Sequence, residues 1–434
     1  FLLNLFYLLS FFLSLFLSFF CSFFILPFSR SLSFFFFAVF FFSSSLGLFF
    51  FFFLLCCCCR GRRRGRFRHR HHFQLLATTT LDLSARSLTK LWLGTILPES
   101  VGRLVALVTL DLSTWPSLTY LPKSLGQLVA LRTLILRHCG QLKYLPQSVG
   151  ELTALTTLDL SHSGVVSLPE SMGRLPALST LLLTGCNSLT KLPAWQQASM
   201  EVLALPGEVP DWVVQQVKLT RLVLGGSYLK RLPESLGQLA ALKVLDLNYC
   251  QALTALPESV GKLVTLTALV LDGCISLTAL PESLGQLPSL TALALKRCDT
   301  LTRLPESLGQ LTSLTRLALN YCPKLTSLPE SMGQLTAVTD LSLADCAVLT
   351  CLPESMGRLS ALTSLDLCCL AQLTRLPESV GRLSTLTSLQ VNTCAKLTCL
   401  PESLGQLTAL TSLSLFGRGE IPSNGRVCPS VWAS

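Results

Sequence analysis

Signatures of catalysis and of nucleotide binding are missing from this 434-residue sequence. It has no Gly-x-x-x-x-Gly-Lys-(Ser/Thr) phosphate loop, no kinase Gly-rich loop and no His-Arg-Asp motif. Of its five histidines, only His138 and His162 lie beyond the first 80 residues, and neither stands beside a series of nucleophiles. We therefore expect no enzyme active site, no cofactor and no metal site.

Charge is also scarce. Only 13% of the residues are charged, whereas 50% are hydrophobic. The net charge is +10, but a run of arginines between Arg60 and Arg70 supplies most of it. The remainder is too weakly basic to predict a nucleic-acid-binding face.

A block of sequence, Leu-Pro-Glu-Ser-(Leu/Val/Met)-Gly, returns every 24 residues. The prolines of this series are Pro98, Pro122, Pro146, Pro233, Pro257, Pro281, Pro305, Pro329, Pro353, Pro377 and Pro401. A period of this length predicts stacked supersecondary units, since a single unit cannot bury its own apolar face. Function is therefore expected on a surface.

Within one unit, Leu269-Val270-Leu271 alternates with period two, which predicts a short strand with inward leucines and an outward Val270. Pro281 and the following acidic residue, Glu282, predict a short helical return. We interpret the repeated glutamates as a helix-start preference only. Gly285 marks a position of unusual dihedrals or close packing.

These residues resemble the leucine-rich repeats over Leu81 to Leu415. The Leu-Pro-x-Ser-(Leu/Ile)-Gly-x-Leu return is similar to that of cytosolic plant-type repeats in disease-resistance receptors and of Ras-group relatives, with cysteine where many relatives have asparagine. The resemblance implies an α/β solenoid, a horseshoe with a concave parallel sheet and short helical or irregular convex returns. It also implies a binding role, over a repeat domain of residues 76–415.

Residues 1–55 are nearly all Phe, Leu and Ser. Two stretches, Phe1 to Leu26 and Ser31 to Leu55, are long enough to cross a bilayer as helices. The alternative is a mistranslated polypyrimidine tract, because Phe, Leu, Ser and Pro have pyrimidine-only codons. Since the chain starts without Met and its repeat pattern fades into a tail at 416–434, we expect either a fragment of a longer protein or an incomplete gene model.

Residues 56–75 form a linker rich in Cys, Arg and His, which we expect to be disordered. The run Arg60 to His72 has three interpretations: contact with acidic lipid, weak RNA binding or a plain linker. Membrane association would involve residues 1–72, with the repeats on the cytoplasmic side. The histidines beside Cys56 to Cys59 lack the paired spacing of zinc motifs.

Cysteines recur at the repeat period and predict a column of small buried thiols that donate to turn carbonyls. The column comprises Cys250, Cys274, Cys298, Cys322, Cys346 and, after Leu370 takes one slot, Cys394. Free thiols favour a reducing compartment, and the lack of an Asn-x-(Ser/Thr) sequon agrees with the cytosol.

The period fails at residues 194–233, which contain Trp195 and Trp212. One interpretation is a partner-binding patch with exposed aromatics. The other is a decayed repeat whose tryptophans fill the space of missing leucines.

Further candidate contacts are polar and aromatic residues predicted at outward strand positions and strand exits. They are Asp246, Asn248, Tyr249, Asp272, Lys296, Arg297, Asn320, Tyr321, Asp340, Asp345, Asp366 and Asn392. Both charges and two tyrosines suit a protein-binding face, although any solvated sheet has a similar composition.

The sequence thus predicts a protein-protein interaction or scaffold module that binds a protein on its concave face, in signalling or defence by resemblance. Two alternatives stay open: the repeat portion of a larger nucleotide-binding receptor or GTPase, and a membrane-anchored receptor-like protein. The sequence names neither the ligand nor the oligomeric state.

Overall fold

The computed structural model describes residues 79–83, 95–193, 195 and 200–415. This part contains an open sheet of fifteen parallel strands in chain order. The strands are β1 (Thr80–Asp82), β2 (Thr109–Asp111), β3 (Thr133–Ile135), β4 (Thr157–Asp159), β5 (Thr180–Leu182), β6 (Val202–Ala204), β7 (Arg221–Val223), β8 (Val244–Asp246), β9 (Ala268–Val270), β10 (Ala292–Ala294), β11 (Arg316–Ala318), β12 (Asp340–Ser342), β13 (Ser364–Asp366), β14 (Ser388–Gln390) and β15 (Ser412–Ser414). The predicted solenoid with a parallel sheet is confirmed.

Short 3₁₀ helices form the return segments. Each follows a proline in extended conformation, whose ring fixes φ and whose missing N–H removes one donor that the helix start would otherwise leave unpaired. The helices are Glu99–Arg103, Lys123–Gln127, Gln147–Glu151, Glu170–Arg174, Asp211–Gln215, Glu234–Gln238, Glu258–Lys262, Glu282–Gln286, Glu306–Gln310, Glu330–Gln334, Glu354–Arg358, Glu378–Arg382 and Glu402–Gln406. None of the described helices has the length and apolarity needed to cross a membrane.

The core is a set of leucine columns between the sheet and the returns. In β9, Leu269 is buried and pairs in register with Leu245 and Leu293, while Val270 is half-buried on the opposite face. Leu271, which follows the strand, is also buried. The predicted alternation is confirmed, and the inward leucines of β2 to β14 are covered by their neighbours in the stack.

The return segments are joined by a hydrogen bond that the sequence interpretation missed. The Ser307 backbone N–H donates to the Glu282 carboxylate of the preceding unit at 3.1 Å, and Ser283 donates to Glu258 in the same way at 3.2 Å. Hydrogen bonds from Ser124 likewise lower the pKa of the Glu99 carboxyl below its ordinary value. Reading the glutamate row as a helix-start preference only was therefore wrong, because its carboxylates connect adjacent repeats.

Close packing explains the glycine of the block. A Cβ on Gly285 would lie 2.4 Å from the Ser307 carbonyl oxygen, and Gly285 has no positive φ. The glycine therefore permits neighbouring returns to approach, which selects the second of its two predicted roles.

The cysteine column is buried as predicted, with Leu370 buried in its slot and Cys394 half-buried at the end. Each thiol donates to a carbonyl of the preceding unit, for example Cys274 to Leu247 at 3.2 Å and Cys298 to Leu271 at 3.4 Å. Burial raises the pKa of Cys298 to about 12, so the thiol stays protonated.

The irregular unit changes the return side and leaves the sheet continuous. The Thr220 hydroxyl donates to the Glu201 carbonyl, 19 residues earlier in the chain. In a regular unit the equivalent hydrogen bond, from the Thr267 hydroxyl to the Lys243 carbonyl, spans 24 residues. Strands β5, β6 and β7 still pair in register. Residues 1–55, 56–75 and 416–434, with their predicted anchor, linker and tail, lie outside the described residues.

Candidate functional site

The outward face of the sheet is divided into three zones. On β1 to β4, threonine and aspartate dominate the outward positions, and on β12 to β15 they are serine, aspartate and glutamine. Between them, β5 to β11 present mostly small and medium apolar side chains. This central zone comprises Leu182, Val202, Ala204, Val223, Val244, Ala268, Val270, Ala292, Ala294 and Ala318, with Thr180, Arg221, Asp246 and Arg316 as its polar members.

Apart from the buried Ala204, these apolar side chains are half-buried on the open face. Because the strands are about 4.8 Å apart, the zone extends roughly 30 Å along the sheet. The sequence analysis missed it, since it sought polar outliers and did not compare outward positions strand by strand. That comparison of successive units would have found it.

The predicted contact residues lie where expected on the fold. Asp246, Asp340 and Asp366 are outward on strands, and the first turn residues of the strand exits are Asn248, Asp272, Lys296, Asn320 and Asn392. The next exit position holds Tyr249, Arg297, Tyr321 and Asp345. Whether each contacts a partner stays a prediction.

That second exit position forms a rim in the left-handed region. Tyr249, Arg297 and Tyr321 have φ of 58°, 58° and 59°, whereas Gly226 and Gly273 occupy the equivalent position in other units. Each turn is closed across the stack, for example by the Tyr249 N–H, which donates to the Asp272 carbonyl at 2.7 Å. Because the turn requires a positive φ at this position, residues other than glycine adopt it at a cost of about 1 kcal/mol each.

The rim side chains lean onto the following unit. The Tyr249 ring lies over Gly273, where a Cβ would come within 2.5 Å of it. The Arg297 guanidinium lies 5.5 Å from the centre of the Tyr321 ring, a cation–π contact. Tyr249 and Tyr321 nevertheless remain 54% and 49% exposed, so about half of each side chain is open to solvent.

Some predicted contacts have structural partners. The Asp246 carboxylate accepts the Asn248 backbone N–H at 3.1 Å, and Asp272 accepts that of Lys296 at 2.8 Å. These carboxylates stabilise strand exits. Burial of the Asn248 side-chain oxygen also reduces what that amide offers to a partner.

A polar chain crosses three units at the carboxyl-terminal side of the central zone. Asn320 donates to the Ser342 hydroxyl, which donates to Asp366 at 2.9 Å. Further along, Ser414 donates to Asn392 at 2.8 Å. Asp340 is exposed and Asp345 half-buried, which leaves acidic surface beyond β11.

The tryptophans of the irregular unit pack on one another. Trp195 is only 6% exposed and meets Trp212 edge-to-face with ring centres 5.7 Å apart. Trp212 is half-buried, and Gln216 beneath it accepts the Met200 N–H at 3.2 Å. This packing supports the gap-filling interpretation and argues against exposed aromatic anchors.

Two histidines, which the sequence analysis set aside, stack on the amino-terminal part of the rim. The His138 and His162 rings are parallel with centres 4.9 Å apart, and His162 lies against Gly185. Beside them Arg137 forms an ion pair with the buried Asp159. Within residues 79–83, 95–193, 195 and 200–415, no group of three His, Cys, Asp or Glu side chains is placed to hold a metal ion.

Comparison with known proteins agrees with this geometry. Residues 210–318 match the model of the leucine-rich repeat region family. A leucine-rich repeat protein of Leptospira interrogans superimposes with a TM-score of 0.56 at 27% identity, covering 81% of this chain and 88% of its own.

Two further solved structures are similar in fold only. A TDR receptor matches with a TM-score of 0.52 at 22% identity, covering 74% of this chain and 57% of that receptor chain. A chain of the Drosophila Toll–Spatzle complex matches with a TM-score of 0.56 at 20% identity, covering 74% of this chain and 41% of the other. Comparison with curated protein sequences gives no significant match. The repeats, the sheet and these matches together show that the chain has the leucine-rich repeat fold.

Proposed function

We propose that this protein is a recognition module that binds a segment of another protein along the central zone of its concave sheet. The observation that carries the proposal is the contrast between that zone and the polar zones on either side of it. A rigid apolar floor with exposed aromatic side chains at its rim is the composition that protein interfaces use at their core.

The driving force for binding is the burial of the half-exposed valines and alanines by the partner. Apolar surface removed from water contributes about 25 cal/mol per Å², before the entropic cost of association is subtracted. Tyr249 and Tyr321 contribute large side chains whose rings already contact a neighbouring unit, Gly273 for Tyr249 and Arg297 for Tyr321, so little freedom is lost on binding.

The test uses the same substitution on two surfaces. Val270→Asp places a carboxylate in the central zone, in the column where Asp246 is tolerated one strand earlier. Thr312→Asp places it on an exposed return position. Both variants should unfold like the parent protein, and proteins captured by the parent should be lost only with Val270→Asp, as measured by quantitative mass spectrometry. Equal capture by all three proteins would contradict the proposal.

Two features support a cytosolic role in signalling or defence, which is part of this proposal. The described cysteines are all free, including the buried column, and buried thiols persist most readily in a reducing compartment. The earlier resemblance to resistance-receptor repeats points to defence. Fractionation of cells that express the full chain, followed by thiol labelling, would test the location. Membrane association through residues 1–72 remains an alternative outcome of that experiment.

A further inference from the structure

Charge is ordered along the carboxyl-terminal half of the concave face. Lys296, Arg297 and Arg316 are exposed on β10, β11 and their exits, and we name them the cationic segment. Asp340 on β12, Asp345 in the turn after it and Asp366 on β13 form the acidic segment.

No ion pair joins the described side chains of these two segments. Arg316 and Asp340 are direct register partners on adjacent strands, yet among the described residues the only ion pair is Arg137 with Asp159. Arg297 lies over the Tyr321 ring, and the Asp340 carboxylate accepts a hydrogen bond from Thr339. The electrostatic potential of the sheet surface therefore changes from positive on β11 to negative on β12.

The apolar floor lies mainly on the amino-terminal side of that junction. From β5 to β9 it contains Leu182, Val202, Val223, Val244 and Val270, interrupted by Arg221 and Asp246. An extended chain advances about 3.3 Å per residue, so roughly six residues would cover these five strands and another four would reach β12.

Building on the function proposed above, we infer that the partner contributes an extended segment of about a dozen residues in a defined order. Apolar residues lie over β5 to β9, acidic residues over the cationic segment and basic residues over the acidic segment. Electrostatic complementarity of this kind sets register and direction, because the alternative order brings like charges together at both segments.

Two labelled peptides of identical composition test this order in fluorescence anisotropy with the full chain. Both begin with a valine- and leucine-rich block; one continues with glutamates and then lysines, the other with lysines and then glutamates. The apolar-acidic-basic peptide should bind roughly tenfold tighter at low salt, and the difference should shrink at high salt. The exchange variant R316D/D340R should reduce or reverse the preference.

The outcomes separate the inference from the function on which it rests. Equal affinity of the two peptides, a preference for the apolar-basic-acidic order, or an unchanged preference in R316D/D340R would overturn the charge order. If both peptides bind equally and both lose affinity with Val270→Asp, the central zone is upheld and only the order is refuted. Absence of binding by either peptide also refutes the order, while protein capture sensitive to Val270→Asp would still support the proposed function.

Discussion

At the scale of single residues, successive positions in a strand face opposite sides of the sheet. Leu269 is covered on all sides by the stack, whereas Val270 faces the open sheet surface. The difference follows from the two-residue period of the strand, and a shift of one residue would exchange the two faces. Stability and recognition are therefore separable within one strand.

Identical substitutions at these neighbours should have different effects. Leu269→Asp buries an unpaired carboxylate and is expected to cost several kcal/mol, enough to unfold much of the array. Val270→Asp should change the free energy of unfolding by less than about 1 kcal/mol, because its carboxylate can remain solvated. Thermal unfolding followed by circular dichroism measures both, and similar melting temperatures for the two variants would refute the strand register.

Buried thiols with a raised pKa make the free energy of unfolding fall as the pH rises through the alkaline range. Burial raises the pKa of Cys139 from 9.0 to about 11 and that of Cys298 to about 12. Since the folded state holds these protons more tightly than the unfolded state, the contribution is complete below about pH 9 and is lost as pH rises towards these values. At pH 10 the loss is about 1 kcal/mol for each such thiol.

Urea unfolding at pH 8 and pH 10, in the presence of a reductant, measures this loss. The parent protein should lose more stability over this interval than Cys298→Ala, which lacks one of the protonated thiols. Equal losses in the two proteins would show that Cys298 does not titrate as its burial requires.

At the scale of elements, the repeat is a strand and a return held to its neighbours by separate contacts. The sheet is joined by backbone pairing, and the returns are joined by glutamate–serine hydrogen bonds and by glycine. The shortened unit demonstrates this independence, because its return differs while β5, β6 and β7 remain paired.

Glycine at the return should matter only where another unit follows it closely. In Gly285→Ala the new Cβ would meet the Ser307 carbonyl at 2.4 Å, and we expect a loss of about 1–3 kcal/mol from overpacking. Gly405 is the matched control, since nothing lies within 4 Å of its added Cβ. Gly405→Ala should be neutral in chemical denaturation; an equal loss in both variants would contradict the packing argument.

Sequence periodicity was sufficient to predict the strands, their inward leucines and the thiol column, because each depends on spacing within one unit. The Glu282–Ser307 bond and the left-handed rim depend on how one unit meets the next, and spacing alone did not predict either. The central zone also depends on neighbouring units. Val244, Val270 and Ala292 lie on three successive strands, so their shared apolar surface is recognised only when the outward positions of adjacent strands are compared.

At the scale of the whole described array, stability is a sum of neighbouring contacts and should vary along the stack. Leu317 in β11 is buried, whereas Leu413 in β15 is 42% exposed. Amide hydrogen exchange should therefore be at least about tenfold slower in β11 than in β15. Mass spectrometry of peptides that cover the two strands measures this, and uniform exchange would instead indicate a single cooperative unit.

The most direct test of the central claim is photo-crosslinking from defined positions in cells. A photoreactive residue at Val244 would report on the central zone, one at Ser388 on the polar zone, and one at Thr312 on the return side. We predict a discrete covalent partner from Val244, and none from Thr312. Recovery of a discrete covalent partner from Thr312 but not from Val244 would contradict recognition by the concave sheet.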